Sequence, residues 1–215
     1  MRHFVAIGLA FVWALGQISS VRADVIPYPT PGIENPVIYT FTAVSTGHVI
    51  AYFAGSTASF DNVLGMSVNG GAVGSFGLDN HASALGASFD LGAVTAGDSL
   101  TFVMHNVVPG LGDLYSNPLL NGPYDGGGVH NHVYSTVYTG TGPIIDSIPP
   151  GIFVSFEDLP NAGPYSPPDW NYNDEDFVFT NVAATPTVPV PAAVWGGIVL
   201  LGGIIGSRRL RRQPA

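Results

Sequence analysis

From Asn35 to Val182 the chain runs in short stretches of β-branched and aromatic residues, divided by Gly, Asn, Ser and Pro. This rhythm predicts strands rather than helices, because each apolar run is too short for a helix and is bounded by turn residues. Pro36–Val44 and Gly47–Ala54 read as two strands across the turn Ser45-Thr46-Gly47. Val63–Val68 meets Asn69-Gly70-Gly71, the strongest hairpin signal in the chain, and Ala72–Phe76 returns from it. Ala87–Leu91, Ser99–Val107, Val129–Tyr138, Gly151–Phe156 and Glu175–Val182 follow. No segment between them keeps a 3.6-residue period with caps, so little helix is expected. The fold class is therefore all-β, a β-sandwich or jelly roll over residues 36–184. Tyr115–Gly128 and Asn161–Trp170 are its two long loops, the positions where binding resides on such scaffolds.

Two apolar runs at the ends do not fit this rhythm. Residues 1–23 carry Arg2, the apolar stretch Phe4–Leu15 and the small-residue site Val21-Arg22-Ala23, and read as a cleavable signal peptide. Residues 24–35, with Pro27-Tyr28-Pro29-Thr30-Pro31, read as an extended spacer. Residues 185–191 read as a stiff Pro/Thr linker, 192–207 as a single transmembrane helix, and 208–215 as a cytoplasmic tail. Arg208, Arg209, Arg211 and Arg212 form the membrane stop. The unbroken run Ala192–Gly206 would reach roughly 22 Å as a helix, against about 30 Å of hydrocarbon, so it is a marginal span.

Val188-Pro189-Val190-Pro191, the glycine-rich apolar run and Arg-Arg-Leu-Arg-Arg together resemble a PEP-CTERM protein-sorting signal, with Val190 where the usual motif has Glu. The resemblance implies export, transient anchoring in the inner membrane, recognition by an exosortase-type processing enzyme, and release to the cell surface or extracellular space. It also implies a biofilm setting with extracellular polysaccharide nearby. An ordinary single-pass tail anchor is the alternative reading of the same residues.

Charge sharpens this picture. The protein has no lysine and no cysteine, and its six arginines all lie in the two terminal segments, whereas all 15 acidic residues lie between them. The domain is then strongly acidic with histidine as its sole cationic side chain, which disfavours nucleic acid and makes divalent cations the natural counter-ions. Without disulfides, stability must come from packing, bound cations or both.

Candidate chemistry concentrates in Phe156-Glu157-Asp158-Leu159-Pro160 and Asp169-Trp170-Asn171-Tyr172-Asn173-Asp174-Glu175-Asp176. The alternation Asp169, Asn171, Asn173 is the one by which calcium loops present oxygens, although Asp174 and Thr180 stand where an EF-hand needs Gly and Glu. Glu157, Asp158, Asp169, Asn171, Asn173 and Asp174 are therefore the candidate Ca2+ ligands. The competing reading is a turn whose side chains bond neighbouring backbone amides. The two stretches also resemble a Phe-Glu-Asp-Leu-Pro and aromatic-Asn-Asp signature of uncharacterised exported β-rich domains, which implies fold and location but no reaction. His130 and His132, two apart, are a weaker metal pair, and the resemblance favours a structural His132. Catalytic motifs are missing, with no nucleophile elbow, phosphate loop or domain Lys or Arg, so the expectation is a non-enzymatic surface or matrix protein. The alternative is a calcium-dependent carbohydrate-binding module or carbohydrate-active enzyme using Tyr124, Tyr165 and Trp170.

Overall fold

The computed structural model describes residues 26–106, 110–141 and 147–187. The segment read as a signal peptide, Val188–Pro191, the 192–207 run and the arginine tail lie outside the described residues. Within them no helix is long and apolar enough to cross a membrane.

Among the described residues ten strands form in chain order: β1 (Ile38–Ala43), β2 (Gly47–Gly55), β3 (Asn62–Val68), β4 (Ser88–Val94), β5 (Ser99–Asn106), β6 (Asp113–Tyr115), β7 (Val133–Tyr138), β8 (Gly151–Phe156), β9 (Glu175–Thr180) and β10 (Val182–Thr187). A single 3-10 turn, Pro118–Leu120, is the helical content among the described residues. The strands make two antiparallel sheets. One runs β10-β1-β5-β3 with β6 also on β5, and the other β4-β2-β9-β8-β7.

The two sheets share one apolar core. Alternation along β5 turns Leu100, Phe102 and Met104 inward, and alternation along β9 does the same for Phe177 and Phe179. Phe102 and Phe179 stack across the layers at 3.9 Å, and Phe41 meets Phe102 edge-on at 5.1 Å. A second, smaller cluster lies apart from that core, where Phe153 of β8 and Val178 of β9, which alternate with the inward-facing set, meet Ala54 of β2, Tyr138 of β7 and Ile148. Strands β8 and β9 are thus buried on both faces, which is why they read as nearly continuous apolar runs.

Sequence and structure differ in how the strands connect. The turn at 44–46 joins strands of opposite sheets rather than a pair, and Asn181 makes the same crossing between β9 and β10. The two crossings are pinned to each other. Asn181 Oδ1 accepts from Ser45 N at 2.8 Å and its Nδ2 donates to Ser45 O at 2.9 Å, with Asn181 itself at φ 61°. Asn69-Gly70 does turn as expected, with φ of 52° and 70° and Gly71 N donating to Val68 O. The returning segment gives isolated bridges, Ser67 to Val73 and Leu64 to Gly77, instead of a full strand.

The flanks read as spacer and linker are tied to the domain at particular residues where they are described. Tyr28 is buried, edge-on to Tyr134 and Tyr172 at 5.3 and 4.7 Å. Thr185, Pro186 and Thr187 complete β10 and pair with Thr40, Tyr39 and Ile38.

Candidate metal centre

The register of β8 and β9 builds the site. Phe156 pairs with Glu175 at the end of the two strands, and Asp174 N donates to Phe156 O at 3.1 Å. The residues that leave β8, Glu157 and Asp158, therefore lie beside those that enter β9, Asp174 and Glu175, although a long loop separates them in sequence. One carboxylate oxygen from each of Glu157, Asp158 and Asp174 lies within 4.8 Å of the others.

The surroundings of these acids are almost free of positive charge. Asp158 Oδ2 accepts from Asn62 Nδ2 at 2.8 Å, and the Asp158 backbone N donates to Asp174 Oδ2 at 2.7 Å. Asn62 Nδ2 also donates to Glu175 Oε1, and Tyr124 Oη donates to the Asp158 carbonyl. Glu157 Oε2 accepts from Asn171 N at 3.3 Å. Two oxygens remain buried without a partner, Glu157 Oε1 and Glu175 Oε2, on side chains that are 0% exposed. Removing a carboxylate from water costs several kcal/mol, and an orphaned lone pair adds to that cost, so the cluster must be neutralised by protons or by a cation.

The acidities follow. Burial, reinforced by the neighbouring Asp169 carboxylate, pushes the Glu157 carboxyl up to about 8. Burial raises Asp158 too, against the hydrogen bond from Asn62. Asp174 and Glu175 are held well above the usual carboxylate range, by burial first and by the adjacent acids second.

The six sequence candidates divide among three roles. Glu157, Asp158 and Asp174 converge. Asp169 and Asn171 line a cavity of about 210 Å3 together with Asp158, Asp174, Thr57, Ser59 and Phe60. Asn173 turns away, its Oδ1 accepting from Thr57 Oγ1 at 2.7 Å. Instead of three inward oxygens, residues 169–173 form successive side-chain-to-backbone turns: Asn171 N donates to Asp169 Oδ1 at 3.1 Å and Asn173 N to Asn171 Oδ1 at 3.1 Å. The intervening Trp170 and Tyr172 sit at φ of 51° and 55°, a region costly for side chains of this size. Tyr172 is held there by its buried hydroxyl, which donates to Asn131 O at 2.7 Å and accepts from Asn35 N at 2.8 Å.

Glu175 and Asn62 belong to the site and were not among the candidates. For Glu175 a signal existed: it shares the inward face of β9 with Phe177 and Phe179, where a carboxylate has no place in an ordinary core. For Asn62 there was none, because its contact spans 96 residues to Asp158 and 113 to Glu175.

His130 and His132 do not share a centre. His130 Nδ1 faces Glu34 at 3.0 Å, whereas the fully buried His132 places Nε2 3.0 Å from Asp125 and donates from Nδ1 to the Glu157 carbonyl at 2.8 Å. His132 thus fixes the backbone of the acidic corner from behind. Of the aromatic residues proposed to stack on sugars, Tyr124 is buried, Trp170 packs 5.3 Å from the His132 ring, and Tyr165 remains 42% exposed beside Phe60 at 5.1 Å.

These features define an all-β domain of two facing antiparallel sheets with a buried carboxylate centre at one end of the β8–β9 pair. Searches of protein-family models, curated proteins and solved structures match none to this chain.

Proposed function

We propose that this chain is an exported, non-enzymatic surface or extracellular-matrix protein whose β-sandwich domain is completed by a calcium ion at Glu157, Asp158 and Asp174. One observation carries the metal reading: the Glu157 carboxylate is 0% exposed with Oε1 unpartnered, within 4.8 Å reach of two further acids. The sequence supports it, since no lysine or arginine lies between Asp24 and Ser207 to offset the cluster. An all-oxygen donor set selects a hard cation, and donors contributed by separate elements beside a roomy cavity suit Ca2+ better than the tight octahedron of Mg2+.

The export part rests on the terminal segments: a signal peptide over 1–23, a PEP-CTERM-like motif at Val188–Pro191 for an exosortase-type enzyme, and an arginine stop in the membrane. A domain that meets millimolar calcium only after export would gain its final stability outside the cell. The test is thermal unfolding of the full-length chain in EDTA and in calcium. With a Kd of about 0.1 mM and calcium at about 10 mM, linkage contributes roughly 2.7 kcal/mol, which raises Tm by roughly 5–10 °C for a domain of this size. A Tm that does not respond to EDTA would defeat the calcium reading.

A further inference from the structure

We propose that the cation at Glu157, Asp158 and Asp174 keeps open coordination positions toward the adjoining cavity and there binds a neutral glycan through two vicinal hydroxyl groups. This inference rests on the calcium reading and names the ligand of the same site.

Coordination number comes first. Ca2+ takes about 6–8 oxygens, and three carboxylates, even if some bind through both oxygens, leave positions to be filled. On the protein side those positions are closed: Glu157 and Asp158 are buried, at 0% and 3% exposure. Asp174 is the half-buried member, and it lines the cavity with Asp158. The open positions therefore face the cavity, whose volume of about 210 Å3 accommodates one sugar ring. The acidic cluster is accompanied by an independent sign of a missing ligand, the buried, unpartnered Glu157 Oε1.

The cavity wall then selects the class of ligand. Ser59 supplies an exposed hydroxyl, Thr57 an acceptor oxygen whose proton goes to Asn173, and Asn171 an amide, while Phe60 supplies an apolar surface with Tyr165 edge-on behind it. A hydroxylated ring with one apolar face matches this combination, because hydroxyls replace water on the cation while the C–H face packs on Phe60. Anionic sugars fit poorly. Glu157, Asp158, Asp169, Asp174 and Glu175 bring more negative charge than one divalent cation offsets, and the wall has no Lys or Arg to receive a carboxylate or sulfate.

Calorimetric titration of the full-length chain tests this. Calcium alone is titrated first, then neutral methyl glycosides with vicinal diols in excess calcium and again in EDTA, with glucuronic acid as the anionic comparison. The expected result is calcium binding, glycoside binding with a Kd on the order of millimolar only when calcium is present, and weaker or no binding of glucuronic acid. Phe60→Ala should weaken glycoside binding by about 3- to 10-fold, the size of one aromatic contact. Calcium binding without any glycoside binding overturns the inference and leaves the calcium reading standing. Glycoside binding that survives EDTA, or a preference for glucuronic acid, overturns the cation-bridged neutral ligand. Failure to bind calcium removes both.

Discussion

Glu157 is buried where its environment, among the described residues, supplies neither solvent exposure nor a positive partner. Its carboxyl rises to about 8 from an ordinary 4.5, and the cause is burial first and the Asp169 charge second. In metal-free protein the unfolded chain loses this proton near pH 4.5, whereas the folded chain holds it until about pH 8. The group therefore favours the fold fully below its unfolded value, and that contribution is lost as pH rises through the window to about 8. Denaturation in EDTA should show stability falling with pH across that window, at about 1.4 kcal/mol per pH unit for each proton involved. Glu157→Gln should make the fall shallower and leave the variant more stable than wild type near pH 8 without metal, while abolishing the stabilisation by calcium. Equal slopes for the two proteins would contradict the assigned burial.

At the scale of elements, the site depends on how β8 and β9 lie together, since their register sets Glu157 and Asp158 against Asp174 and Glu175. Gly151, at the opposite end of β8 from the acids, lets the two strands lie this close: a Cβ there would run into the Phe179 carbonyl oxygen and lie 3.0 Å from Val178 Cγ1. Backbone cannot yield as a side-chain tip can. Gly151→Ala should cost about 1–3 kcal/mol, in line with overpacking elsewhere, and should lower calcium affinity as the strand ends shift. Urea unfolding with and without calcium checks both effects, and a variant as stable as wild type would show that the strands can separate without penalty.

The strands themselves were largely legible. β2, β3, β5, β8 and β9 fall within a residue or two of the expected limits because their apolar runs are bounded by strong turn residues. β6 was not, since Asp113-Leu114-Tyr115 is too short to show a period, and it exists because β5 offers it an edge. β10 was read partly as linker, since Ala183-Ala184-Thr185-Pro186-Thr187 has no apolar alternation of its own. It gains its strand from pairing with β1. The candidate site was legible in its acids and not in its geometry: Glu157, Asp158 and Asp174 stand out by density, while the separation of Asn173 from them depends on a bond to Thr57, 116 residues away.

For the whole molecule, the separation of charge along the chain is the governing fact. Arginines at the two ends and 15 acids between them divide the protein into basic terminal segments and a strongly acidic domain. Mass spectrometry of the mature protein from its native cell surface should find a chain that starts at Asp24 and ends near Pro191. Retention of Arg208–Arg212 would instead leave a tail anchor. The sequence by itself determined the all-β class, the acidic character and the positions of the carboxylates, because strand period, composition and residue identity are local properties. Tertiary structure alone decided which sheet each strand joins, that Asn62 reaches the acidic centre, and that Glu157 lies buried without a full set of partners. Those are consequences of contacts between distant segments, and burial, which sets the acidity and the need for neutralisation by protons or a cation, exists only once the two sheets have closed on each other.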